Sequence, residues 1–367
     1  MRIVHFSDLH LDSTFTWAGA LGDAARRRRQ ALRDTLLRIV ELTREERADA
    51  LLSGGDLYEH ERSGQDTGEF LRQAFASLDP IPVYLAPGNH DWYGPDSLYA
   101  RVDWSSNVHV FSEPALRPTQ LSTGITLWGA AHCAPANTDN FLDGFRTEGL
   151  GVHLALFHGA ENSWFSEQGE GKQPHAPFDA AQIAEAGIDH AFLGHYHRPK
   201  DSERHTYPGN PDPLAFGEDG KRAAVLATID ATGRVRSERH IVAQTAVHDI
   251  ETDISGCTTQ QQIRDRIAEQ VDGLTGFARL TVRGEVEPAV SVTEGDLRDT
   301  MNSFEAVQIH LGAMRAGYDF EALRSEPTVR GQFVADVLDA GLDPQEERRV
   351  LMTGLRALEG RRDLEVL

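Results

Sequence analysis

Apolar and polar positions follow two rhythms along this chain, and the switches between them lay out its first half. Ile3-Val4-His5-Phe6, Ala50-Leu51-Leu52-Ser53 and Val83-Tyr84-Leu85-Ala86 are short, mostly apolar runs, which read as buried strands. Between them the apolar period lengthens to that of a helix. Leu32, Leu36, Ile39 and Val40 share one face of a helix predicted over about 23–46, and Phe70, Leu71, Ala74, Phe75 and Leu78 one face over about 66–78. Strand, helix, strand, helix, strand predicts a parallel sheet with covering helices, and such sheets bind ligands beyond the carboxyl ends of their strands.

Strand signals then dominate, at 108–111, 125–128, 152–157 and 191–193, with one helix over 178–186 stopped by Gly187. Residues 161–177 are polar and Gly-rich, with Trp164, Phe165 and His175 interleaved, which suits either a substrate-holding loop or a plain surface loop. A hairpin over 223–230 and 234–242 closes a first domain, 1–242. Residues 243–327 read as a small α+β domain with a helix near 259–270 and its clearest strand at Ala278–Arg283. The tail, 328–367, reads as two helices, 328–340 and 344–358, the second opened by Asp343 as cap and Pro344 at the first position. Phe333, Val334, Val337 and Leu338 on one helix, and Leu351, Leu355 and Leu358 on the other, form stripes that two short helices cannot fully bury against each other. The tail therefore either docks a partner or packs back on its own domain.

A length of 367 residues with 40% hydrophobic positions suits two domains with sizeable cores. The formal net charge of -21 argues against coating nucleic acid or membrane by bulk electrostatics, so a polyanion must be met locally. Arg26-Arg27-Arg28-Arg29 offers one local patch, with a solvated helix face as the plainer reading. Cys133 and Cys257 lie far apart and form no disulfide framework, which fits a reducing compartment. No run approaches the ~18 apolar residues of a membrane span, and Asp8 interrupts the start of the chain where a signal peptide needs an apolar stretch. A soluble cytoplasmic protein with no membrane partner is expected.

The candidate chemistry lies at the strand ends. Asp8-Leu9-His10, Gly54-Gly55-Asp56, Gly88-Asn89-His90-Asp91, Phe157-His158-Gly159 and Gly194-His195-Tyr196-His197 each put a carboxylate, amide or imidazole just past a predicted strand. One Asp at a strand end is usually a turn former; five such endings supply the bridging carboxylate and the terminal N and O ligands that a pair of divalent cations needs. Mixed imidazole, carboxylate and amide donors suit Mn²⁺, Fe²⁺ or Zn²⁺ rather than Ca²⁺.

In this order the endings resemble the calcineurin-like metallophosphoesterase superfamily, a β-sandwich flanked by helices. Phe6-Ser7-Asp8-Leu9-His10-Leu11, and the segment from Tyr207-Pro208-Gly209-Asn210-Pro211 to Phe216-Gly217-Glu218, further resemble the DNA double-strand-break repair nucleases of the SbcD type. The resemblance implies an α/β phosphoesterase domain, a capping domain, and two metal ions, Mn²⁺ first with Mg²⁺ as an alternative. It places Asp8, His10, Asp56 and His197 on one ion and Asp56, Asn89, His158 and His195 on the other. His90 would face the scissile phosphate and Asp91 would orient it. The implied activity is a DNA exonuclease, with endonuclease action as well, in a homodimer with an SMC-like coiled-coil ATPase. Archaeal and eukaryotic relatives carry a His three residues after the bridging Asp, whereas this chain has Glu59, which opens the exonuclease–endonuclease balance. Two other readings remain: a phosphoesterase for a cyclic nucleotide or other small phosphodiester, against which a separate cap domain speaks, and a non-catalytic metal-binding scaffold, which would have no use for His90.

Overall fold

The computed structural model describes residues 1–18, 23–164, 174–286, 290 and 292–359. The chain divides into two compact units, Met1–Ala246 and Val247–Leu367.

The first unit is a sandwich of two six-stranded sheets. One is built from β1 (Arg2–Phe6), β2 (Ala50–Ser53), β3 (Val83–Leu85) and β4 (Val108–Val110), all parallel; β11 (Ala223–Ile229) and β12 (Val235–Ile241) add on antiparallel beside β1. The other runs from β5 (Arg117–Ser122) through β6 (Ile125–Gly129), β7 (Val152–His158), β8 (His190–Gly194) and β10 (His205–Tyr207) to β9 (Lys200–Asp201). Its four middle strands are parallel and its two edges antiparallel. Ile3, Leu52 and Ala86 from one sheet and Leu127, Leu154, Leu156 and Phe192 from the other share one buried core between the layers.

The helices cover the outer faces. The long α1 (Ala24–Glu45) buries Leu32, Leu36, Ile39 and Val40 and packs on β1 and on α2 (Gln65–Ala76). A one-turn α3 (Leu98–Arg101) is capped by the Ser97 side chain. The apolar stripe of α1 thus finds the sheet its period predicted. α4 (Ala181–Glu185) is shorter than the predicted 178–186 helix, because Phe178 is buried beside Phe157 and its N–H donates to the Ala160 carbonyl at 3.0 Å. β5 was hidden in the sequence: Arg-Pro-Thr-Gln-Leu-Ser is polar and carries a proline, which a sheet tolerates at an edge.

The second unit holds a three-stranded parallel sheet in the order β13 (Val247–Asp253), β14 (Gly276–Val286), β15 (Phe304–Ala316), with α5 (Gln260–Val271) and α6 (Glu294–Arg298) packed on it through Ile263, Ile267 and Leu297. The strand predicted at Ala278–Arg283 lies within β14. α7 (Phe320–Arg324), α8 (Val329–Asp339) and α9 (Pro344–Glu359) close the chain. Thr328 caps α8, and the Asp343 carboxylate accepts from the Gln345 and Glu346 amides at 3.0 and 3.1 Å at the head of α9. Among the described residues no helix is long and apolar enough to cross a membrane.

Candidate active site

The turns that follow β1, β2, β3, β7 and β8 meet at one place, tied by their backbones. The Asp8 amide donates to the Gly55 carbonyl and the His10 amide to the Asp56 carbonyl, each at 2.9 Å, and the His60 amide reaches the His90 carbonyl at 3.0 Å. The His195 amide donates to the Asp8 carboxylate at 3.1 Å. Asp8, His10, Asp56 and His195 hold left-handed backbone at φ 56°, 50°, 52° and 111°, a conformation costing non-glycine residues about 1–3 kcal/mol each and concentrated at functional sites. Gly55, at φ 97°, sits where an added Cβ would lie 2.8 Å from the Gly88 nitrogen. The β2 and β3 turns touch only because both positions lack a side chain.

This convergence brings ligand atoms together in overlapping triads. Asp8, His10 and His197, then His10, Asp56 and His90, then Asp8, Asp56 and His158 each offer atoms within 4.8 Å of one another. Asp56 Oδ2 lies 3.6 Å from His10 Nε2 and 3.4 Å from His158 Nε2, between two imidazoles, where a carboxylate shared by two ions would sit. Asn89 Oδ1 is 3.1 Å from His158 Nε2, and the His195 ring centroid is 5.2 Å from that of His158. Asn89 and His195 therefore adjoin the cluster through His158. Three histidines have their other nitrogen occupied: His10 Nδ1 donates to Glu59 at 2.8 Å, His158 Nδ1 to the Gly54 carbonyl at 2.9 Å, and His197 Nδ1 to Glu218 at 2.6 Å. That fixes the tautomer which turns Nε2 to the site, the arrangement metal-binding histidines need. His10 Nε2 is buried without a hydrogen-bond partner. A buried, oriented and unsatisfied nitrogen beside two carboxylates fits a cation. His90 is within the same reach, but its side chain is 46% exposed against 4% for His10 and 0% for His158.

The family pattern described as calcineurin-like phosphoesterase matches residues 1–199, more than half of the chain. The chain belongs to the calcineurin-like phosphoesterases. It is 26% identical over 241 residues to the uncharacterized metallophosphoesterase YhaO of Bacillus subtilis, a match covering 62% of this chain and spanning only 57% of that protein's length. It is 24% identical over 358 residues to the DNA double-strand break repair protein Mre11 of Methanopyrus kandleri, covering 89% of this chain and 72% of that one. The crystal structure of TT1561 from Thermus thermophilus superimposes at a TM-score of 0.36 with 13% identity, over 66% of this chain and 98% of that one, a likeness too distant to bear on function.

The electrostatics of this phosphoesterase's site follow from burial against close opposite charge. Burial opposes the charge of Asp56, but the fields of His158 and His10 and the hydrogen bond from His158 prevail and hold its carboxyl well below the usual range. Burial likewise disfavours the His158 imidazolium, yet Asp56 pulls it up to about 9. A proton thus stands on His158 where a cation would displace it. His195 is pushed well below its ordinary value, chiefly by burial. His90 is raised to about 9, first by its hydrogen bond to Glu59, against a smaller opposing effect of burial.

Two carboxylates of this phosphoesterase carry roles that the sequence analysis did not give them, and a third differs from its expected one. Glu59 accepts from His10 and, at 3.2 Å, from His90 Nδ1; despite partial burial its carboxyl falls to about 2. Glu218 accepts from His197 and also from Asn210 Nδ2 at 2.6 Å and the Leu214 amide at 2.7 Å, so the 207–218 segment holds His197 in place. The segment's Asp212 takes the buried Arg28 at 2.7 Å, which removes Arg28 from any phosphate-binding patch; Arg26 pairs with Asp23 on the surface. Asp91 does not meet the His90 ring. Its buried carboxylate accepts from the amides of Asp56, Leu57 and Gly88 at 3.1, 2.7 and 2.6 Å and from the Tyr99 hydroxyl at 2.6 Å, stitching two turns together, and Glu59 takes the orienting place beside His90. Of the 161–177 loop, residues 165–173, with Phe165, lie outside the described residues. Trp164 packs under Lys200 Nζ at 3.6 Å, and the His175 ring lies 5.6 Å from His195.

Proposed function

We propose that this phosphoesterase is a two-metal DNA nuclease of the SbcD type, cutting phosphodiester bonds in DNA repair. The observation that carries the reading is Asp56, one buried carboxylate between His10 and His158. The similarity to a DNA double-strand break repair protein supports DNA as the substrate, since it runs over 89% of the chain, well past the phosphoesterase pattern. Asp8, His10, Asp56 and His197 would hold one ion, and Asp56, Asn89, His158 and His195 the other; the imidazole-rich donor set favours Mn²⁺ over Mg²⁺. Bound there, the ions supply Lewis-acid polarisation of the phosphoryl oxygens and a water acidic enough to attack phosphorus. His90, kept protonated by Glu59, neutralises charge on the phosphoryl oxygens and gives its proton to the leaving oxygen. A homodimer in the cytoplasm, with an SMC-like coiled-coil ATPase, completes the reading, since a chain of net charge -21 needs help to grip DNA.

Incubation of end-labelled single- and double-stranded DNA, and of cyclic nucleotides, with Mn²⁺, Mg²⁺ or chelator tests this reading. Shortened strands with Mn²⁺ and none with chelator are expected. Cleavage of cyclic nucleotides with both DNA forms untouched would replace the nuclease by a small-phosphodiester hydrolase.

A further inference from the structure

A cavity of roughly 210 Å³ adjoins the site, and Phe15, Trp17, Glu59, Arg62 and Leu214 are among its lining residues. Glu59 is the shared wall: the same carboxylate holds His10 and His90. The cavity therefore begins one side chain away from the imidazole that faces the scissile phosphate.

Its aromatic side is fixed in place. The Trp17 indole N–H donates to the Leu214 carbonyl at 2.9 Å, and the ring leans on Phe216 at a centroid distance of 4.7 Å and on Phe15, edge to face, at 6.1 Å. Phe15 is itself held, by the Arg28 guanidinium 5.0 Å from its ring centre, and Arg28 is anchored on Asp212. An aromatic wall immobilised before any ligand arrives loses no rotamer freedom on binding. Arg62, half exposed, stands with its Nη1 3.7 Å from Glu59, offsets that carboxylate's charge and offers guanidinium N–H donors to the cavity. A rigid aromatic face and a guanidinium beside a phosphodiester-cleaving centre are the two parts that single-stranded nucleic acid uses, one for the base and one for the backbone.

We propose that this cavity is the subsite for the nucleobase of the nucleoside on the His90 side of the scissile phosphate. The inference rests on the nuclease reading and narrows it, since it makes an unpaired base part of what the enzyme recognises.

The test compares kcat/KM, with Mn²⁺, for thymidylyl-thymidine and for its two analogues in which one or the other sugar carries no base. The enzyme is wild type, Trp17→Leu or Trp17→Phe. With wild type, removing one particular base costs about tenfold or more, the scale of one base–aromatic stack, and removing the other costs much less. Trp17→Leu loses a similar factor on the intact dinucleotide, Trp17→Phe recovers most of it, and the losses from Trp17→Leu and from removing the sensitive base do not multiply. Equal rates for all three substrates with wild type, or losses that multiply, overturn the subsite and leave the nuclease standing. Hydrolysis of bis(4-nitrophenyl) phosphate without hydrolysis of any dinucleotide or DNA strand overturns both.

Discussion

At the scale of single residues, the proposed function separates groups that would hold the ligands from one that would face substrate, and substitutions should split accordingly. Glu218 meets the site at His197 Nδ1, so Glu218→Ala is expected to weaken metal binding by about 10–100-fold, read by titration with Mn²⁺, while the fold persists. His90 is tied to Glu59 and 46% exposed; His90→Asn is expected to leave metal content and DNA affinity near wild type while turnover falls by ~10²–10⁴. A loss of metal in His90→Asn would make it a ligand instead. The carboxylate partners are also where sequence reading reached its end. Asp8, His10, Asp56, Asn89, His158, His195 and His197 stand out because each lies within a few residues of a strand end. What Glu59, Glu218 and Asp91 do is decided by atoms far along the chain: Glu218 meets a histidine 21 residues away and Asp91 an amide 34 residues away. No local pattern distinguishes a carboxylate that orients His90 from one that stitches a turn.

At the scale of elements, the strands and helices with a clean apolar rhythm were readable, and those that depend on a neighbour were not. β1, β2, β7 and β8 are buried along almost their whole length, so their apolar runs are continuous; β5 has no buried position, and its pairing with β6 supplies what its sequence lacks. The tail shows the same dependence. Val334, Val337, Leu351 and Leu355, expected to stay uncovered on two helices alone, are buried together with Leu323 of α7, and Met352 joins the core under the β13–β15 sheet. Packing back on its own unit is what the structure gives these side chains, while Leu358 remains half exposed. Leu355→Ala should therefore destabilise the second unit by about 2–5 kcal/mol, seen as a lowered melting temperature. A melting temperature unchanged within error would return α8 and α9 to the role of a free docking surface.

At the scale of the molecule, buried histidines make stability pH-dependent, in a direction set by which form each prefers. His5 and His132 are pushed down to about 3 and His190 to about 4, all chiefly by burial. The unfolded chain would take up protons at these groups from their ordinary value of 6.5 downward, so stability falls as pH drops from there towards 3. Asp91 works the other way, its carboxyl raised to about 6 by burial and by Asp56, but it is one group against three. His158 sits at about 9, where burial is outweighed by Asp56; its contribution is fully present below 6.5 and is lost as pH rises through 9. The metal-free protein should melt highest near neutrality and lose stability on both sides. Saturating Mn²⁺ should shrink the alkaline limb to the part that His90, also raised to about 9, contributes, since a ligating His158 carries no proton at Nε2. An alkaline limb unchanged by Mn²⁺ in thermal melts would place His158 outside the metal site.

On the proposed function, Asp56 would serve two ions, and the hydrolysis of DNA would require both. The direct measurement is metal content per chain, by elemental analysis of Mn²⁺-loaded wild type, Asp56→Ala and Asp8→Ala, with DNA hydrolysis followed in the same preparations. Two ions are expected in wild type, neither retained in Asp56→Ala, one mainly lost in Asp8→Ala, and no hydrolysis without both. Asp56→Ala with unchanged metal content would contradict the claim.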